Sequence, residues 1–113
     1  MSKRSDQDLL TDIHEATQRI AAYVAGMTYA AFLSDTRTQD AVIRNLEIIG
    51  EAAKSLSSDI KTGHPDLPWK EMAGVRDRLI HNYFGVNLDI VWQIITVELP
   101  EVAAAIAALQ GKS

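Results

Sequence analysis

Apolar residues recur at steps of three and four along almost the whole chain. Leu9, Ile13, Ala16, Ile20, Val24 and Met27 make one such stripe. Val42, Leu46, Ile49, Ala53 and Leu56 make a second. Leu88, Val91, Ile95, Leu99, Val102, Ile106 and Leu109 make a third. This spacing places the side chains on one face of an α-helix, whereas strands need alternation, and no segment shows it convincingly. A chain of 113 residues can build one core but not two. The expectation is therefore a single all-α domain over residues 1–113, an up-down bundle of four to five helices.

Local signals place the ends of these helices. Ser5 followed by Asp8 predicts a capping-box start for the first helix, and Gly26 predicts its end. Thr28–Leu33 reads as a short helical turn before a polar break at Ser34-Asp35. The second helix is expected from Thr36, with Gln39 as its capping-box partner. Ile43 and Ile48 add apolar surface outside its main stripe, as in a central helix or a subunit contact. Gly50 inside it predicts close approach by another backbone, at a cost in helix propensity. Ser57–Leu67 is rich in Ser, Asp, Gly, His and Pro, and reads as a connection. Pro68 suits the first turn of the next helix, which is interrupted near Gly74 and runs to about Asn82. Gly85 predicts a stop and Asn87 a cap for the last helical region. At Pro100 the last stripe either kinks or starts a second helix.

Composition narrows the function classes. Cysteine is absent, so disulfides and thiolate metal sites are excluded, which suits a reducing cytosol. Met1–Asp6 leads into no apolar run, and Val102–Leu109 is too short to span a bilayer, so neither a signal peptide nor a membrane association is expected. The expected location is cytoplasmic. The net charge of −4 argues against a broad electrostatic surface for RNA. A small basic cleft remains possible, with Arg76, Arg78 and Lys70 as candidates; surface solvation is the plain alternative for Arg78 and Lys70. No Walker loop, G-x-G-x-x-G or G-x-S-x-G occurs, so nucleotide and serine hydrolysis lack support.

Chemistry concentrates in Gly74–Val86. A guanidinium, an imidazole and a phenol fall within eight residues, at Arg76, His81 and Tyr83. If the segment is helical, Arg76 and Tyr83 lie nearly two turns apart on one face. Asp77 and His81, four apart, share a face on which the carboxylate can orient the imidazole. A phosphate-binding cation, a proton-moving His and a carboxylate beside it suit phosphodiester chemistry. The simpler reading of Arg76 is a salt bridge to Glu47 or Glu51. Those two carboxylates share a helix face and could hold a divalent ion, but are more commonly just solvated. His14 reads as a surface residue and His64 as part of the loop. Trp69 and Trp92 read as core or interface anchors.

The same residues carry a family resemblance. Arg76, His81 and Tyr83 match the R-x4-H-x-Y pattern of HepT-like toxins, a branch of the HEPN superfamily. R-x4-H alone occurs by chance in many helices. The stretch Gln39–Ala53, then His64-Pro65 and Leu67-Pro68-Trp69, resembles the same family, so the likeness covers most of the chain. It implies a homodimeric HEPN-like fold in which two motif helices face one cleft. It implies RNA as substrate, with Arg76 and His81 catalytic and Asp77 supporting. No metal or other cofactor is implied, because the ribose 2′-OH is the nucleophile and a 2′,3′-cyclic phosphate the product. It also implies a partner, the cognate minimal nucleotidyltransferase antitoxin, which neutralises the toxin by transferring AMP to Tyr83. The alternative is a non-catalytic helical interaction module that docks this nucleotidyltransferase and is modified by it.

Overall fold

A computed structural model describes residues 4–79 and 85–111. Among them the chain is helical, and no extended strand forms. The long elements are α1 (Asp6–Val24), α3 (Thr36–Ser55) and a last continuous helix. That last helix is built from α7 (Leu88–Gln93), a π turn (Ile94–Glu98) and α8 (Leu99–Leu109). Short helices complete the bundle: α2 (Tyr29–Leu33), α4 (Ser58–Gly63), α5 (Trp69–Ala73) and α6 (Val75–Leu79). The architecture is an all-α bundle, consistent with the HEPN fold.

The caps follow local chemistry. The Ser5 hydroxyl accepts from the Asp8 N–H, and the Asp8 carboxylate accepts from the Ser5 N–H, closing the expected box. Asp6 then ties α1 to the far end of α3: its carboxylate accepts from the Ser57 N–H at 3.0 Å and the Ser57 hydroxyl at 2.6 Å. Those two bonds hold the Asp6 carboxyl below the usual carboxylate range. Gly26 adopts φ +74°, a left-handed turn just past the helix. Asn87 caps α7 through the Ile90 N–H, as expected.

Two expectations need correction here. The cap of α3 is Asp35, whose carboxylate accepts from the Thr38 N–H and hydroxyl. Gln39 instead reaches back and donates to the Phe32 and Leu33 carbonyls, satisfying the open end of α2. The connection after α3 contains a helix, α4, capped by Ser57. None of its residues is buried, so it has no apolar stripe for a periodicity argument to find.

The core gathers around α3, which touches α1, α2, α5 and α6. Val42, Leu46, Ile49 and Ala53 on α3 are buried, facing Leu10, Ile13, Ala16 and Ile20 of α1. Ile43 and Ile48 are half-buried, as a central helix requires. Phe32 of α2 is fully buried, with its ring 5.2 Å from that of Trp92 on α7, and the Tyr29 ring lies 5.8 Å from the same Trp92. His14 is half-buried rather than on the surface, with Nδ1 enclosed and lacking a hydrogen-bond partner.

The last helix departs most from an ideal repeat. Val91, Ile95 and Leu99 are separated by two successive steps of four, which carries a plain α-helical stripe off its line. The π turn absorbs that excess, so all three are buried. Pro100 then sits in the first turn of α8, where its missing N–H costs little. Leu88–Leu109 as a whole is 22 residues with mean hydropathy 1.6, long and apolar enough by composition to cross a membrane. The shorter run considered from the sequence alone understates it. Core helices meet the same test, and Val91 and Ile106 are buried in this bundle. Val97, in contrast, is 61% exposed.

Gly50 does what its position in α3 predicts. A Cβ there would lie 3.2 Å from Val75 Cγ1 and 3.3 Å from the Met72 carbonyl oxygen. The junction of α5 and α6 therefore packs directly on the α3 backbone. Gly50→Val should cost about 1–3 kcal/mol by overpacking. Gly50→Ala should cost less, because about 1 kcal/mol of helix propensity offsets the contact. Urea titration reads both values, and a Gly50→Val protein as stable as wild type would show that the junction yields freely.

Candidate active site

The segment carrying Arg76 is anchored on both sides of a break. Trp69 and Met72 bury α5 in the core, and Trp69 Nε1 donates to the His64 carbonyl at 2.8 Å. His64 is thus part of the loop, as expected, but serves through its backbone. The helix stops at Gly74, whose N–H donates to the Lys70 carbonyl at 3.0 Å. It restarts at once: the Gly74 carbonyl accepts from the Asp77 and Arg78 N–H groups. Val75 and Leu79 fix α6 to the core, at 5% and 2% exposure. The Asn87 N–H donates to the Leu79 carbonyl at 2.8 Å, joining the end of α6 to the start of α7.

The two arginines of α6 have opposite fates. Arg76 is exposed, its side chain 66% accessible, with Nε 3.9 Å from Glu47 of α3. That is ion-pair range but too long for a hydrogen bond. The salt-bridge reading of Arg76 thus has a named partner in Glu47, held loosely. Arg78 forms a forked pair with Glu98 at the end of the π turn, Nη1–Oε1 2.8 Å and Nη2–Oε2 2.9 Å. The bonds to Arg78 hold the Glu98 carboxyl below its usual range. They also raise the Arg78 guanidinium, which stays charged in any case. Arg78, a candidate RNA contact in the sequence, is engaged within its own fold.

Asp77 and Lys70 are both exposed. Among the described residues neither has an oppositely charged partner within 4.0 Å. His81 and Tyr83 lie outside the described residues. Glu51 faces Lys54 at 3.7 Å, so Glu47 and Glu51 each lean toward a cation. Among the described residues no group of three or more His, Asp or Glu side chains is placed to share a metal ion.

Two hollows lie along α3. A cavity of about 310 Å³ lies between α3, α5 and the last helix. Leu46, Met72, Val75 and Leu99 line it, with Arg78 and Glu98 also in its wall. Arg76 is not part of it. A groove runs between α1 and α3, with Arg44, Glu47 and Glu51 along it. Glu47 is the residue that connects this groove to Arg76. The sequence reading missed Glu98, which lies twenty residues from its partner. No local spacing signals such a pair.

The bundle and its exposed motif arginine define a HEPN-type helical domain. The comparisons agree with this class. The ribonuclease HepT-like family model matches residues 13–109. The chain belongs to the ribonuclease HepT-like family. It is 48% identical over 98 residues to "Probable ribonuclease HepT" of Thermococcus cleftensis, covering 87% of this chain and 89% of that protein. It is 42% identical over 116 residues to "Putative RNase MJ0127" of Methanocaldococcus jannaschii, covering 99% and 96% of the two chains. A third relative, "Putative RNase TTE0752" of Caldanaerobacter subterraneus, is 38% identical over 109 residues, covering 96% of this chain and 97% of that one. No solved structure matches the chain significantly.

Proposed function

We propose that this chain is an endoribonuclease toxin that works as a homodimer and is silenced by adenylylation of Tyr83. The observation that carries the reading is the state of Arg76. It is the arginine of the family motif, on a helix anchored in the core, and its guanidinium is exposed, with Glu47 as a loose carboxylate neighbour among the described residues. Such a group is open to a phosphate oxygen, for which its planar fork is well matched.

In this reading the 2′-oxygen of the substrate attacks the adjacent phosphorus, and the bond from phosphorus to the 5′-oxygen breaks. The products are a 2′,3′-cyclic phosphate and a 5′-hydroxyl. His81 takes the proton from the 2′-OH or delivers one to the leaving oxygen, and a second His81 from the other protomer supplies the remaining role. Asp77 orients the imidazole. Arg76 stabilises the charge that builds on the phosphoryl oxygens. The nucleophile belongs to RNA, so the scheme calls for no metal. Lys70 can add a further phosphate contact. The exposed Val97 and the apolar last helix offer surface for a second copy.

Silencing follows from charge and bulk. A nucleotidyltransferase would join the Tyr83 oxygen to the α-phosphorus of ATP and release pyrophosphate. The added AMP brings negative charge beside Arg76 and His81, where substrate phosphate would bind. The net charge of −4 gives some weight to the second reading, a docking module that is modified but cuts nothing.

One experiment separates the two. The pure, unmodified protein should cut RNA and leave cyclic phosphate ends. Incubation with the cognate minimal nucleotidyltransferase, ATP and Mg²⁺ should raise its mass in AMP steps and stop the cleavage. Tyr23 is exposed and Tyr29 is packed on Trp92, so peptide mapping has a real competitor to test. AMP on Tyr23 in place of Tyr83 would overturn the switch. AMP uptake by a protein that never cut RNA would leave the docking module.

A further inference from the structure

Arg76 stands on α6, described over Val75–Leu79. A helix takes its orientation in a bundle from the side chains that hold it. Val75 and Leu79, four apart, are its two buried anchors. They define a line of contact with the core. At about 100° per residue, Arg76 and Arg78 fall on opposite flanks of that line, each about 80° from it. Two anchors on one line do not by themselves fix the roll of the helix about it. Rolling one way lifts Arg76 away from α3; rolling the other way presses it down.

Among the described residues, only one flank carries a firm tie. On the Arg76 side, Glu47 stands off at 3.9 Å without a hydrogen bond. On the Arg78 side, the two terminal guanidinium nitrogens each donate to one Glu98 oxygen, at 2.8 and 2.9 Å. A forked pair fixes the plane of the guanidinium as well as its distance, which a single contact does not. Both side chains are 38% exposed, so the pair adds little to overall stability. Its geometric effect is out of proportion to that small energy. Glu98 is also the last residue of the π turn. Its place beside Arg78 therefore depends on the same wide turn that keeps Val91, Ile95 and Leu99 in line.

We infer that Glu98 is a positioning residue of the ribonuclease site: through Arg78 it sets the roll of α6 and so the direction in which Arg76 meets the phosphate. This inference rests on the ribonuclease reading and adds a residue to it. Arg78 then belongs to the scaffold of the site rather than to its RNA-binding surface. Rates respond steeply to such placement, since a misplacement of about 1 Å can cost on the order of 100-fold.

The test uses the full chain, a short RNA oligonucleotide and three variants: Glu98→Ala, Glu98→Gln and the swap Arg78→Glu with Glu98→Arg. Glu98→Ala should lower kcat by about 10- to 100-fold while leaving KM within about twofold, because Arg76 still binds but binds askew. Glu98→Gln, which keeps one acceptor, should fall between Glu98→Ala and wild type. The swap should recover most of the lost kcat. Amide hydrogen exchange at Asn87, whose N–H is bonded to the Leu79 carbonyl, should quicken in Glu98→Ala and slow again in the swap. A Glu98→Ala protein with wild-type kcat overturns the inference. So does a defect confined to KM, which would make Arg78 an RNA contact after all. If the wild type cuts no RNA, the ribonuclease reading fails by itself. The exchange then still decides whether Glu98 orients α6, and an unchanged rate at Asn87 sinks that too.

Discussion

His81→Ala should remove RNA cleavage while leaving the bundle folded. Loss of a general acid–base group costs about 10²–10⁴ in rate, and a homodimeric cleft would lose both copies at once. The core gathers Phe32, Leu46, Ile106 and their neighbours, and an imidazole at a cleft adds little packing, so thermal unfolding should stay near that of wild type. The measurement is single-turnover cleavage of a labelled RNA by wild type and variant, alongside a melting curve. A folded His81→Ala protein that cuts at the wild-type rate would remove the imidazole from the mechanism. Arg76 would then be left as a phosphate binder without a proton-transfer partner.

The largest expected effect on stability is at Phe32. Its side chain is fully buried, and its ring contacts Trp92 across the junction of α2 and α7. Phe32→Ala should cost about 3–5 kcal/mol, from lost transfer energy and the cavity left behind. Domains of this kind hold only about 5–15 kcal/mol in total, so a large share of the protein should be unfolded at modest urea. Helix α2 has five residues and no other buried side chain, so the whole Tyr29–Leu33 turn should detach with it. A shift of the urea midpoint worth less than about 1 kcal/mol would mean that Trp92 or Tyr29 closes over the gap, a volume-conserving repair.

Much of this fold was legible in the chain, and the reasons differ by residue. Ser5 and Asp8 cap α1 because the box is a contact between neighbours in sequence. Gly50 announced a close approach because only a missing Cβ allows one, and Val75 and Met72 fill that space. Asn87 was readable for the same local reason. Helix α4 was not, because none of its residues is fully buried and its composition is that of a loop. Gln39 was assigned to the wrong partner because its two real acceptors lie six and seven residues upstream, in another helix.

The site divides along the same line. The exposed Arg76 and Asp77 follow from their place in the motif helix. The pairing of Arg78 with Glu98 depends on a π turn and a crossing of two helices, neither of which leaves a local mark. The family likeness identified the motif but could not say which of two neighbouring arginines the fold would engage internally. His81 and Tyr83 remain defined by the sequence pattern and the family.

The hydrogen bond between Asn87 and Leu79 gives the bundle a second mechanical link at the same place. The last helix holds α6 by a backbone bond at Leu79 and by a side-chain fork at Arg78. A displacement of the last helix therefore reaches α6 by two routes, and removing Glu98 leaves one of them in place.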